Sequence, residues 1–283
     1  MIDWSIWSFS YATGKLPKDF LSGSPVSSNQ GTQPVPMIVT LLKSSDGELI
    51  LVDTGFAAGE SMTGRKFDDF CRSDELLRKF GVDPAQIGKL VLTHMHFDHA
   101  GNLDAFPNAR IYLQRYEYES WKTAIEEFGG GTAQGKDHWA FSSLNVPDFD
   151  ALERAMAQGR VELLDGDREV APGVTCRLAK DSHTFGSQWL EVQTRVGPYA
   201  LAGDVCYTFQ NVERMWPPGY TQGNTFNMIR EFKKMKAVAG DDLKRLVPGH
   251  DIELFTRYPS GRRDGTAFIE VALAEGHASL IST

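Results

Sequence analysis

The hexapeptide His94-Met95-His96-Phe97-Asp98-His99 constrains the fold of this chain more than any other stretch of it. It gathers three imidazoles and a carboxylate within six residues of a 283-residue chain that has only seven histidines, which makes a chance cluster a poor account of it. The run Lys89 to Thr93 just before it reads as a short buried strand. A strand-to-helix loop at that point aims alternate side chains, such as His94 and His96, to one side. Imidazole nitrogen and carboxylate oxygen are ligands for zinc and similar divalent metals, and a catalytic site leaves one coordination position open for water. The first expectation is therefore a metal site at a strand end, to which other parts of the chain must bring further ligands.

Composition narrows the setting. Lysine plus arginine number 29 against 37 aspartates and glutamates, a net charge of −8. An acidic chain of this kind is a poor partner for nucleic acid, whose binding draws on Lys and Arg against phosphate. With 41% hydrophobic and 23% charged residues, the chain has the make-up of a globular protein with a sizeable core. The three cysteines, Cys71, Cys176 and Cys206, stand singly, which excludes a disulfide framework or a Cys-x-x-Cys site and leaves reduced core thiols. The start, Met1-Ile2-Asp3-Trp4-Ser5, carries an acid where a signal peptide carries Lys or Arg, and no apolar run approaches a membrane span. A cytoplasmic protein with no membrane partner is expected.

Along the chain, Met37 to Leu42 and Glu48 to Asp53 read as strands joined by a turn at Asp46-Gly47. A helix is expected over Phe67 to Phe80, a capped turn at Asp83-Pro84, a strand at Ala109 to Leu113 and a helix from Arg115 to Phe128. The aperiodic stretch 129–149, with Trp139 and Phe141, reads as an aromatic loop insertion able to cover a pocket, followed by a helix capped by Asp150. Further strands are expected at Val161 to Leu164, Val174 to Leu178, Trp189 to Thr194 and Tyr199 to Leu201. A long helix then runs through Met228 to Val238, and a strand from Arg245 to Val247. No linker or repeat interrupts the mixture, so residues 1–283 are expected to form one domain of layered α/β type.

Thr93-His94-Met95-His96-Phe97-Asp98-His99-Ala100-Gly101 resembles the HxHxDH signature of the metallo-β-lactamase superfamily. The resemblance runs from about Met37 to Asp251. Leu51-Val52-Asp53-Thr54-Gly55 is similar to the family's first motif, Ser182-His183-Thr184 to its third, Gly203-Asp204 to its fourth and Val247-Pro248-Gly249-His250-Asp251 to its fifth. It implies a four-layer αββα sandwich with two divalent metal ions, zinc first, with iron, manganese or cobalt accepted by the same donors. Position by position, it gives His94, His96 and His183 to one metal, Asp98, His99 and His250 to the other, and Asp204 to both. Asp53 would orient a ligating histidine, or else cap local backbone as a strand-end carboxylate.

The resemblance points further to the N-acyl homoserine lactonase-like branch, in which a tyrosine stands three residues after the bridging aspartate, as Tyr207 does after Asp204. Tyr207 would then donate a hydrogen bond to a developing oxyanion, although a core tyrosine is the plainer alternative. The activity implied is that of a hydrolase that opens a lactone or related cyclic ester by attack of a metal-bridging hydroxide, with Asp98 as the proton shuttle. A thioesterase of the glyoxalase II type, a cyclic-amide or aryl-ester hydrolase and a non-catalytic binding protein are the alternatives. Around the third motif the lactonases' Thr-Pro-Gly-His-x-x-Gly-His run is here Lys180-Asp181-Ser182-His183-Thr184-Phe185-Gly186-Ser187, without the proline, the first glycine and the second histidine. Aromatic residues at Trp4 and Trp7, Trp121 to Phe141 and Trp216 to Tyr220 suit an apolar or ring-containing small-molecule substrate if they line the pocket. Each tryptophan is more often core or subunit interface than pocket, and an exposed N-terminal pair would favour a homodimer. His138 is expected in a solvated loop and His277 at the surface.

Overall fold

Bulky residues at Trp7, Phe9 and Tyr11 alternate with Ser8 and Ser10, and this period of two makes the start of the chain a central strand rather than a loop. The computed structural model describes residues 2–23, 31–57, 66–129 and 139–281. The elements in chain order are β1 (Trp4–Pro17), α1 (Lys18–Leu21), β2 (Thr32–Ser44), β3 (Leu49–Val52), β4 (Gly55–Phe56), α2 (Ser73–Lys79), β5 (Lys89–Val91), α3 (Phe97–Ala100), β6 (Arg110–Gln114), α4 (Arg115–Phe128) and α5 (Val146–Ala157). After them come β7 (Val161–Leu164), β8 (Arg168–Ala171), β9 (Val174–Lys180), β10 (Gly186–Thr194), β11 (Gly197–Gly203), α6 (Phe209–Arg214), α7 (Thr225–Ala239), β12 (Leu246–Pro248), α8 (Leu254–Arg257), β13 (Ser260–Arg263) and β14 (Thr266–Ala272).

The strands form an eight-stranded sheet in the order β13-β14-β1-β2-β3-β5-β6-β7 and a five-stranded sheet in the order β12-β11-β10-β9-β8. Trp4, Ile6, Leu42, Ile50 and Val91 from the first pack with Leu190, Val192 and Leu201 from the second. The opposite face of the larger sheet, through Leu51, Ile111 and Leu113, packs on Trp121 of α4 and on Phe149 and Leu152 of α5. On the smaller sheet, α7 lays down Met228, Phe232 and Met235, one stripe at helical spacing. Burying each such side chain contributes roughly 2 kcal/mol. The layers run helix, sheet, sheet, helix, as the resemblance implies.

The topology determines where loops can meet. β3 and β5 are parallel, with Val52 opposite Val91, and β11 and β12 are parallel, with Gly203 opposite Pro248. In each sheet, then, two C-terminal strand ends lie side by side. From them leave the segments that begin at Asp53, His94, Asp204 and Gly249.

Several expectations need correcting. Trp4 and Trp7 are 0% and 5% exposed, with indole N–H groups donating to the Pro172 carbonyl (3.0 Å) and Glu270 (3.2 Å). They are core residues of β1, neither pocket wall nor exposed, and so give no support to a homodimer. The helix expected from Phe67 begins only at Ser73, because the preceding residues are extended alongside β1, with Thr13 and Asp68 exchanging both backbone hydrogen bonds. The helix expected after Asp150 begins at Val146, with Pro147 in its first turn, which shortens the aromatic insertion at that end. Residues 130–138 of that insertion, His138 among them, lie outside the described residues. His277 is half-buried against β1, within 2.7 Å of the Ser5 hydroxyl. The strands β1, β4, β8, β13 and β14 are not among those expected from the sequence.

One buried acid in this framework has a testable consequence. Asp148, in the first turn of α5, is 9% exposed, and burial raises its carboxyl pKa to about 6. A folded-state pKa above the unfolded value means that the protonated form is favoured in the fold, an advantage present at low pH and lost as pH rises through 6. Asp148→Asn is accordingly expected to stabilise the protein by ~2 kcal/mol at pH 8 and to have little effect at pH 4, read as the difference in Tm at the two pH values.

Candidate metal centre

Five imidazoles and two carboxylates converge where the strand ends of the two sheets face each other. β5 delivers His94 to His99, with Asp98 and His99 in the single turn of α3. The β9–β10 connection delivers His183, β11 delivers Asp204 and β12 delivers His250. They fall into two groups, His94, His96, His183 and Asp204, and Asp98, His99, His250 and Asp204; in each, the atoms offered lie within 4.8 Å of one another. Asp204 belongs to both. Its Oδ2 is 3.4 Å from His183 Nε2 and 3.8 Å from His94 Nε2, and its Oδ1 is 2.9 Å from His250 Nε2 and 3.2 Å from His99 Nε2. Asp98 Oδ2 lies 3.7 Å from the Nε2 atoms of both His99 and His250. Gly249 makes this crossing feasible, since a Cβ there would come within 2.6 Å of the Gly203 carbonyl and 2.8 Å of Asp204 Oδ1.

The outward ring nitrogens determine what faces inward. His99 Nδ1 donates to Asp53 Oδ2 (2.8 Å), His250 Nδ1 to the Pro36 carbonyl (3.0 Å) and His96 Nε2 to Gln222 Oε1 (2.9 Å). The Thr93 hydroxyl donates to Asp53 (2.8 Å), which leaves its oxygen to accept from His94 Nδ1 (3.0 Å). Each of these four rings therefore carries a proton on the outside and turns its other nitrogen into the centre. Burial holds His94, His96 and His183 below the usual imidazole range, so they stay neutral, which is the ligand form. Burial also opposes the charge on His99 and His250, but Asp204 and Asp98 outweigh it and raise both. Asp204 is kept well below the usual carboxylate range, the imidazoles of His250 and His99 outweighing its burial.

These donors fit a divalent cation pair. His96 Nδ1 and His183 Nε2 approach to 3.1 Å, a contact that without a cation needs a proton on His183 Nε2, and His183 Nδ1 has no other partner among the described residues to hold that proton. His94 Nε2, His99 Nε2 and Asp204 Oδ1 are buried with no hydrogen-bond partner. Acceptors crowded in this way are costly unless something positive lies among them.

The centre opens onto a cavity of about 240 Å³. Its floor is His96, Asp98, Asp204 and His250, and its walls include Leu16, Phe20, Met37, Phe67, Phe97 and Tyr220. Tyr207 lines it too, its ring 5.3 Å from that of His250 and 5.4 Å from that of His183. Burial, with Asp204 and Asp98 nearby, pushes the Tyr207 phenol well above its ordinary range, so it stays protonated. Of the aromatic clusters picked out from the sequence, only Tyr220 among the described residues reaches this cavity; Trp121 is buried behind His96, and Trp216 borders a different pocket. Sequence reasoning missed Gln222, Thr93 and the wall residues Leu16, Phe20 and Met37. Alternation at the end of β1 was the available signal for Leu16, and the apolar run of β2 for Met37. Zinc added to metal-stripped protein is expected to raise Tm, by about 2.7 kcal/mol of stability at 100-fold excess over Kd, and a chelator to reverse it.

Similarity to known proteins runs along the same lines. A curated N-acyl homoserine lactonase from Bacillus sp is 28% identical over 233 residues, 77% of this chain and 82% of its own length. The N-acyl homoserine lactonase AttM of Azorhizobium caulinodans is 29% identical over 182 residues, 62% of each chain. Among solved structures, a quorum-quenching N-acyl homoserine lactone lactonase superposes with a TM-score of 0.66 at 24% identity, covering 88% of this chain and 92% of the other. The sequence model of the metallo-beta-lactamase superfamily matches residues 37–250, and the chain belongs to that superfamily.

Proposed function

We propose that this chain is a dinuclear metal-dependent hydrolase that opens lactones or closely related neutral esters. The single observation that carries the substrate class is the cavity wall: among the described residues it is apolar and aromatic with two serines, Ser142 and Ser143, and includes no lysine or arginine. A substrate with a carboxylate or phosphate remote from the reacting carbonyl would set that charge against hydrocarbon, with no lysine or arginine among the described wall residues to offset it. The lactonase relatives, alike over most of their length, support the same reading. The thioesterase alternative, whose glutathione conjugate carries carboxylates, fits this wall poorly.

In this reading His94, His96, His183 and Asp204 hold one cation, and Asp98, His99, His250 and Asp204 the other, zinc being the first choice for such nitrogen and oxygen donors. When bound, the pair supplies Lewis acidity and a water acidic enough to act as a nucleophile at neutral pH. The chain's own residues do the rest. Asp53, in a left-handed backbone conformation at φ 62°, accepts from Thr93 N, Thr93 Oγ1 and His99 Nδ1, and so orients His99 directly and His94 through the threonine. Tyr207 is protonated, faces the cavity and makes no hydrogen bond to protein among the described residues, leaving its O–H free for the oxygen of an attacked carbonyl. Asp98 borders the same cavity and is the carboxylate placed to carry a proton to the leaving alkoxide. Phe20, stacked between Tyr207 and Tyr220, backs the phenol and excludes water from that side.

The deciding experiment is metal quantification and then a hydrolysis screen across N-acyl homoserine lactones, aryl esters, cyclic amides and S-lactoylglutathione. Two equivalents of metal and a kcat/KM for neutral lactones well above that for the anionic thioester are expected; the reverse preference would refute the substrate class. Under half an equivalent of metal would instead support a non-catalytic role. Tyr207→Phe is expected to lower kcat about 10²-fold with KM within a few-fold, as for loss of one oxyanion donor. Asp53→Ala should weaken metal binding by roughly 10- to 100-fold.

A further inference from the structure

Glu117 takes no direct part in the proposed hydrolysis. It does not border the cavity and belongs to neither ligand group, yet it is fully buried at the start of α4 and accepts four hydrogen bonds. Its Oε1 accepts from Met95 N (3.0 Å) and Trp121 Nε1 (2.9 Å), and its Oε2 from Thr184 Oγ1 (2.8 Å) and Gly186 N (2.7 Å). Met95 sits between His94 and His96; Thr184 and Gly186 come just after His183. One carboxylate thus ties together the two loops that carry the three-histidine group.

Two further features fit this role. The approach at Gly186 is so close that a Cβ there would lie 2.4 Å from Glu117 N, so a glycine is required for its backbone N–H to reach the carboxylate. The Thr184 hydroxyl, having given its proton to Glu117, accepts from Ser187 Oγ (2.6 Å), and Ser187 Oγ in turn accepts from Thr184 N (3.0 Å). Ser187 stands where the lactonase pattern has its second histidine, and here it closes the turn around His183. Only a carboxylate offers acceptor sites on both oxygens and no donor; an amide would turn its NH2 onto one of the two donor pairs.

We propose that Glu117 is a positioning residue that sets the spacing of the His94–His96 loop against the His183 loop, and with it the cation affinity of the three-histidine group. None of the four hydrogen bonds of Glu117 goes to Asp98, His99 or His250. This inference rests on the two-cation reading, so the experiment separates the two. Zinc titration of the whole, metal-stripped chain against a chromophoric chelator comes first: fewer than two equivalents in the unaltered protein refutes the two-cation reading and this inference with it. Given two equivalents, Glu117→Gln should weaken one of them by roughly 10- to 100-fold and leave the other within about threefold. Thr184→Val should weaken the same equivalent by a smaller factor, and Thr184→Ser, which keeps the hydroxyl, should restore it. Two equivalents that resist both Glu117→Gln and Thr184→Val, or that weaken equally, overturn the role of Glu117 while leaving the two-cation reading intact. If Glu117→Gln fails to fold, judged by circular dichroism, the Thr184 pair decides alone.

Discussion

His96 Nδ1 and His183 Nε2 lie 3.1 Å apart in a site where both rings are buried, a contact that requires a proton or a cation to hold it. Much of the molecule keeps that contact in place. His96 is held from behind by Gln222, and His183 is fully buried. The energetic cost of assembling acceptors is met by the core: two packed sheets and their covering helices make the strand ends rigid enough to hold an arrangement that is unfavourable without a cation. Affinity for a positive charge is in this sense stored in the fold before the charge arrives.

Except for His183, which arrives on the turn between antiparallel β9 and β10, the fold achieves convergence through a simple property of parallel strand pairs, whose C-terminal ends lie together. β3 with β5 and β11 with β12 supply the two pairs, and each loop needs only a few residues to reach the centre. Helices add the back support. Glu117 on α4 braces one side, and Asn224, capping α7 through Phe226 N (2.8 Å), shares its loop with Gln222 and Tyr220. Site and scaffold are separable in the sequence but not in the structure, since the same loops that end strands carry the donors.

Parts of this are legible from the chain alone. The stretch His94 to His99 announces itself because ligand-type residues are dense and come directly after a strand, and the hairpin at Asp46-Gly47 and the stripe on α7 arise from turn chemistry and helical period. β1 is harder to see because serines between its aromatics look like loop composition, whereas small polar residues suit a strand packed on both faces. Gln222, Glu117 and the Pro36 carbonyl are not legible. Their roles depend on distances across the fold, and nothing local distinguishes a glutamate that accepts four hydrogen bonds from one on a solvated helix face. Asp53 is readable as a candidate, but its left-handed backbone, which aims the carboxylate back at Thr93 and His99, is a tertiary fact.

Of the four outward contacts that orient the histidines, three end on side chains and one does not. His250 is held by the main-chain carbonyl of Pro36 within β2, where the missing proline N–H is of no consequence because only the oxygen is used. No side-chain replacement can delete that acceptor, so a scan of substitutions would pass over it. It is vulnerable instead to the register of β2 against β1. A slip of one residue in that pairing would turn the carbonyl away and free the imidazole, which makes strand alignment far from the cavity as much a determinant of the centre as any residue that faces it.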